Sequence, residues 1–242
     1  MKNTIIQGNC LEIMKGILDK SIDMILCDLP YGTTACKWDT IIPFEPLWEQ
    51  LKRLIKPDGA IVLFGSEPFS SALRMSNIKN YKYDWVWNKK AFSNQMMAKK
   101  QPLRIVENVM IFNSKVYYPQ DLVECNKTTK QGSKITDNIG GGVRKTSYIQ
   151  THTNYPRNIL EFSKDRPSQH PTQKPVALFE YLIKTYTNEG DLVLDNCMGS
   201  GTTAVACIRT KRNYIGIEKE QKYIAIARDR VRDEKNLFNE SI

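Results

Sequence analysis

The stretch LVLDNCMGSGTTA, Leu192 to Ala204, constrains the fold more than any other part of the chain. LVLD reads as a short buried strand, and GTTAVACIRT reads as a helix packed through small residues. Between them, Gly199-Ser200-Gly201-Thr202-Thr203-Ala204 fits the G-x-G-x-x-G/A turn of a site for a nucleotide-like ligand. Glycines let the backbone approach such a ligand, and the helix N-terminus favours negative groups. Such a unit belongs inside a parallel sheet, yet little sheet-forming sequence follows it. One strand, YIGIE, and one helix, EQKYIAIARDRV, are readable, and NLFNESI is expected to be a frayed or edge terminus. The other strands must come from the N-terminal part, so the sheet is joined from both ends of the chain. Glu218 ends YIGIE at a spacing that suits an acid gripping a ribose diol. Asp195 ends LVLD four residues before Gly199, where an acid suits a cationic amino group better than a pyrophosphate.

Residues 1–78 supply the missing strands. TIIQG, IDMILC and AIVLF read as strands, the last closed by Gly65, and LEIMKGIL, FEPLWEQLKRLI and FSSALRMS read as helices. Pro57-Asp58-Gly59 is expected to be a turn. IDMILC runs directly into CDLPYG, which places an acid, a stiff proline turn and a ring at the lip of a sheet. PVALFEYLIKTY is an amphipathic helix with Pro175 suited to its first turn.

The middle of the chain differs in character. YDWVW and IVENVMIF can be strands, but Gln131–Ser147, QGSKITDNIGGGVRKTS, lacks periodicity and reads as a mobile loop. The formal charge is +9, and Lys79–Arg166 holds 16 Lys+Arg against 7 Asp+Glu, so the whole excess lies there. A surface that faces a polyanion explains this confinement better than a general solubilising charge. The expected division is 1–87, 88–166 and 167–242, with a basic recognition insertion between two halves of one α/β domain. Six cysteines without a CxxC pair, and only two histidines, give a Cys/His metal site no support. They read as reduced thiols. No apolar run is long enough to span a membrane and no signal peptide is readable, so a cytoplasmic location is expected.

These motifs resemble those of S-adenosylmethionine-dependent amino-methyltransferases of DNA, the N6-adenine/N4-cytosine family, in its permuted order with the catalytic motif first. CDLPYG is similar to the family's D-P-P-Y motif, and DNCMGSGTT to its D-P-F-x-G-S-G-T cofactor motif. HPTQKP, His170–Pro175, is close to the segment that precedes the cofactor motif, and FGS, Phe64–Ser66, matches a further element. Leu29 stands in place of the first proline, Asn196 and Cys197 replace Pro and Phe, and Asn9 in QGNC stands where the family has Asp near the adenine. The resemblance implies a Rossmann-like, mostly parallel sheet and S-adenosylmethionine as cofactor. It places Asn9, Cys10, Asp28, Ser66, Asp195, Gly199, Ser200, Gly201, Thr202 and Glu218 around that cofactor. Thr172 and Lys174, opening a helix beside the site, are assigned to its carboxylate end, against a plain reading as helix cap and solvated charge.

An exocyclic base amine is a poor nucleophile because its lone pair is delocalised into the ring. Acceptors for its two N–H groups favour a pyramidal nitrogen. Asp28 supplies one, and the backbone carbonyl of Pro30 or Leu29 another. Tyr31 offers a face for a flipped base. Asp28, Pro30 and Tyr31 are therefore the expected catalytic set, with no metal required. The expected reaction is methylation of adenine N6 in DNA, with cytosine N4 as the alternative. A C5-cytosine mechanism is disfavoured, since none of the cysteines follows a proline. The rivals from other classes are a nicotinamide-dependent oxidoreductase and a nucleic-acid binder without catalysis. Double-stranded DNA is the expected partner, through Arg104, Arg144, Lys145, Arg157 and Arg166. No membrane contact is expected, and a homodimer is compatible with the sequence without being specified by it.

Overall fold

The computed structural model describes residues 2–33, 36, 39–130, 147–165 and 173–239. In chain order the elements are β1 (Thr4–Gln7), α1 (Cys10–Met14), β2 (Ile22–Cys27), α2 (Phe44–Leu54), β3 (Ile55–Gly65), α3 (Phe69–Ser76), β4 (Tyr81–Ser93) and β5 (Arg104–Phe112). There follow β6 (Val123–Lys130), β7 (Ser147–Thr153), β8 (Ile159–Glu161), α4 (Val176–Tyr186), β9 (Leu192–Asp195), α5 (Thr202–Arg209), β10 (Asn213–Glu218) and α6 (Gln221–Asn239).

The chain forms two compact units, Met1–Tyr118 with Asn158–Ile242, and Pro119–Arg157. In the larger unit eight strands make one sheet in the order β1-β10-β9-β2-β3-β5-β4-β8. Every pairing is parallel except those of β5 with its neighbours β3 and β4. The mostly parallel α/β sheet drawn from both ends of the sequence is thus present. Thr4 pairs with Ile215, and Met24 pairs with Val193. The smaller unit holds the antiparallel pair β6–β7.

Strand alternation builds two cores. Met24 and Leu26 of β2, with Val62 and Phe64 of β3, face α4 and α5, while Ile25, Cys27, Ile61 and Leu63 face α2. Trp85 and Trp87 are buried in the first core, as core residues rather than base-stacking ones.

Several local expectations change. Pro57-Asp58-Gly59 lies within β3, where Ile22 and Met24 pair with Ile55 and Ala60, so the residues expected to turn form an irregularity in the ladder. α1 ends at Met14, short of the expected helix. Pro175 sits at the N-cap of α4 rather than inside its first turn. NLFNESI is not frayed from its start, because α6 continues to Asn239. The expected boundary after residue 87 cuts through β4, and β5 and β8 also belong to the large sheet, so the separate unit is narrower than 88–166. Residues 131–146 of the expected loop lie outside the described residues, and Ser147 opens β7.

Candidate active site

Because β1, β10, β9, β2 and β3 run parallel, their carboxyl ends share one edge of the sheet. A cleft of about 540 Å³ opens there, a size that suits a cofactor or a nucleotide. Gly8–Leu11 follow β1, Asp28–Tyr31 follow β2, Ser66 follows β3, Asp195–Ser200 end and follow β9, and Glu218–Glu220 end and follow β10. Adjacent pairing of β2 and β9 brings the two motifs, about 167 residues apart, into a single cleft.

Asp28 is the first residue beyond β2. Its Oδ1 accepts a hydrogen bond from the Tyr31 hydroxyl at 2.6 Å, and its Oδ2 lies 2.7 Å from Lys174 Nζ. Tyr31 is stacked on Phe69 with ring centroids 5.1 Å apart. One face of this ring is therefore already covered. The loop beyond is closed by Asp39, whose carboxylate accepts from Gly32 N and Thr33 N, each at 2.9 Å.

Lys174 is buried beside the rings of Tyr31, Phe64 and Trp87. Its Nζ also lies 3.0 Å from Glu107 Oε2, a charge contact without hydrogen-bond alignment. Lys89 Nζ donates to Glu107 Oε1 at 3.2 Å. Burial pushes Asp28 above the usual carboxylate range; Lys174 opposes that and Glu107 adds to it. Burial acts the same way on Glu107, but Lys174 and Lys89 outweigh it and hold Glu107 below its usual range. Two carboxylates in one site are thereby driven apart. Glu107 keeps its charge firmly, and Asp28 is the titratable member.

On the β9 side, Asp195 is buried at the strand end. Its Oδ2 accepts from the Thr203 hydroxyl, and its Oδ1 accepts from Cys197 N at 3.1 Å. Burial pushes this carboxyl up to about 7, against the lowering effect of those hydrogen bonds. Glu218 accepts from Gly199 N at Oε2 and from Glu220 N at Oε1, both at 2.8 Å, which ties the glycine turn to the end of β10. Asn9 caps α1, its Oδ1 accepting from Leu11 N at 2.9 Å, which leaves its amide hydrogens as donors. Asn196 Oδ1 is buried at the cleft without a hydrogen-bond partner. The wall thus offers an unmet acceptor, free amide donors and acidic groups, a set that fits an adenosine carrying an amino acid.

Of the residues singled out from sequence, Asn9, Cys10, Asp28, Pro30, Tyr31, Ser66, Lys174, Asp195, Gly199, Ser200, Thr202 and Glu218 line the cleft. Gly201 does not. At φ +85 it packs on α6, and a Cβ there would come within 2.8 Å of Ala227 Cβ. It serves the fit of α6 rather than close approach to a ligand. Lys174 belongs to Asp28 and Glu107 in the structure, not to a solvated helix start. Arg104 lines the cleft, and Arg157 ends the smaller unit. Thr172, Arg144, Lys145 and Arg166 lie outside the described residues.

The sequence reading missed Lys89, Glu107 and Asp39. Parity carried a signal for two of them. Lys89 follows the buried Trp85 and Trp87 at two-residue spacing, and Glu107 precedes the buried Val109 and Ile111 at the same spacing. Charges at inward positions of a strand need buried partners.

The sequence pattern of a family described as "DNA methylase" matches residues 22–229. The type II methyltransferase M.HpaI of Haemophilus parainfluenzae is 30% identical, the match covering 99% of this chain and 77% of that protein. The DNA adenine methyltransferase YhdJ of Escherichia coli (strain K12) is 31% identical over 91% of this chain and 80% of its own length. Among solved structures, the M1.HpyAVI–SAM complex superposes with a TM-score of 0.63 at 25% identity, covering 94% of this chain and 98% of that one.

Proposed function

The chain belongs to the DNA methylase family, and on that premise we propose that it methylates the N6 amine of adenine in double-stranded DNA. The observation that carries the reading is the single cleft in which the Asp28–Tyr31 turn of β2 stands beside the Asp195–Gly199 turn of β9. S-adenosylmethionine, when bound, supplies a methyl group already activated on a positively charged sulfur. Asp195, Asn196, Glu218 and Asn9 are the residues that would hold it, together with Cys10, Ser66, Gly199, Ser200 and Thr202.

Asp28 does the work on the base. Each carboxylate oxygen has one lone pair engaged, by Tyr31 or by Lys174, and keeps another for an amine hydrogen. Accepting that hydrogen favours the pyramidal, nucleophilic nitrogen and receives its proton as the new bond forms. Lys174 favours the ionised form of Asp28 against the effect of burial. Adenine is preferred over cytosine because Asp opens the motif and because YhdJ is named an adenine enzyme. Recognition falls to Arg104, Arg144, Lys145, Arg157 and Arg166, on phosphates or bases.

Modified-base sequencing of DNA from cells expressing the protein tests both activity and target. N6-methyladenine in a defined motif is expected, absent from cells expressing Asp28→Ala. N4-methylcytosine alone would replace the target base, and unmodified DNA from cells holding folded protein that binds S-adenosylmethionine would end the reading.

A further inference from the structure

The strands that wall the cleft at Lys89, Ser93, Arg104 and Glu107 do not end there. β4 and β5 are joined by a tip, residues 94–103, exposed throughout except at Asn94 and Leu103. This tip is preformed. Asn94 Oδ1 accepts from Arg104 N at 2.9 Å, and the Ser93 hydroxyl donates to Arg104 O at 3.2 Å, which closes the neck. Within the tip, Met97 N donates to Asn94 O, and Lys100 N to Met97 O, both at 2.8 Å. An ordered loop therefore holds Met96 almost wholly in solvent, at 99% exposure, with Met97 beside it and Phe92 on the flank at 56%. Nothing in the chain's own packing accounts for such a display.

The charge of this hairpin is equally one-sided. Between Asn88 and Val106 there are five Lys or Arg and no Asp or Glu. Lys90 pairs with Glu161, whereas Lys99 and Lys100 form no ion pair among the described residues. Exposed apolar side chains amid uncompensated cations fit an anionic partner that also has apolar faces to cover. Duplex DNA is such a partner, with phosphates outside and bases within. A second copy of this hairpin is a poor one, since a twofold contact would set like charges against each other.

We propose that this hairpin is the surface that engages duplex DNA beside the cleft. Lys99 and Lys100 neutralise phosphates, and Met96, supported by Met97 and Phe92, enters the base stack where the target nucleotide leaves it. The proposal rests on the methyl-transfer reading of the cleft. Removing a base from the stack costs unstacking and unpairing, and an inserted apolar side chain offsets that cost by filling the gap. The flexible, polarizable thioether suits a gap bounded by base faces.

The test uses the full chain and two changes, Met96→Ala with Met97→Ala, and Lys99→Ala with Lys100→Ala. Single-turnover methylation is measured on a duplex carrying the mapped site, and on one with a mismatch at the target base. The methionine variant should be slower by about tenfold or more on the matched duplex and largely restored by the mismatch, which removes much of the unpairing cost. Equal slowing on both duplexes, or no slowing, overturns the wedge. The lysine variant should bind a random-sequence duplex more weakly, with the slope of log affinity against log salt shallower by up to about 1.8. This binding assay needs no methyl transfer, so it reads the hairpin even if the cleft has another activity. Unchanged binding and slope overturn the phosphate contacts. Self-association without DNA that the methionine change abolishes assigns the patch to a second copy and also overturns the proposal.

Discussion

A lysine pressed among three aromatic rings keeps its charge only because two carboxylates face it. Burial alone would pull Lys174 down, but Asp28 and Glu107 outweigh burial and hold it above the ordinary lysine range. The same charges set the protonation of Asp28, whose surroundings also include Tyr31, Cys27, Asp195, Lys89 and Lys164. The role proposed for Asp28 needs its ionised form, so activity should fall as pH drops through the Asp28 pKa. Replacing Lys174 by Met removes the charge that lowers that pKa, and the acidic limb should move up by about one to three pH units. Glu107→Gln removes a charge that raises it, and the limb should move down. Opposite displacements in a single-turnover pH profile are the expected result. Parallel losses with an unmoved limb would make both residues simply structural. Asp28 itself was legible from its motif, and the lysine was legible as a site residue but not in this role. Its partner Glu107 stands 67 positions earlier, on a strand whose place in the sheet no local pattern specifies.

The turn between β9 and α5 looks like a ligand cradle, yet one of its glycines answers to a neighbouring helix. Gly201 has φ +85, and a Cβ would meet both Ala227 Cβ and Cα, at 2.8 and 3.1 Å. Gly190 has nearly the same φ, +84, with nothing within 4 Å of an added Cβ. Gly190→Ala should therefore cost only left-handed backbone strain, about 1–2 kcal/mol. Gly201→Ala adds crowding against α6 and should cost about 2–5 kcal/mol in all, read by urea unfolding. Equal losses would mean that α6 gives way freely. The elements themselves were largely readable, because alternation at period 2 and helical spacing mark β2, β3, α2 and α4 without reference to partners. What escaped was set by partners. β3 extends back through Pro57-Asp58-Gly59 because Ile55 pairs with Ile22, and α6 runs on past Val231, which packs in the first core. Turn residues and polar termini carry no trace of such contacts.

Over the whole chain, the positive excess divides between two places. Asn88–Val106, the outer part of the β4–β5 hairpin, has five cations without an acid, and Pro119–Arg157 has six against three acids. Changing Arg144 and Lys145 together to Ala should shallow the salt slope of DNA binding by up to about 1.8 if both neutralise phosphates. Cofactor affinity should be unchanged, since among the described residues none of Pro119–Arg157 lines the cleft. An unaltered slope would assign that pair to surface charge alone. The sheet that carries the cleft also governs how the protein can come into existence. Thr4 must wait for Ile215, and Met24 for Val193, before β1 and β2 gain these neighbours. At roughly 5–20 residues per second, a ribosome needs on the order of 10–40 s to make the intervening chain. Throughout that interval the apolar strand IDMILC carries an edge with no partner, an invitation to pair wrongly. Both motifs of the cleft meet across that same edge, so a nascent chain cannot assemble the cleft until β9 has been synthesised.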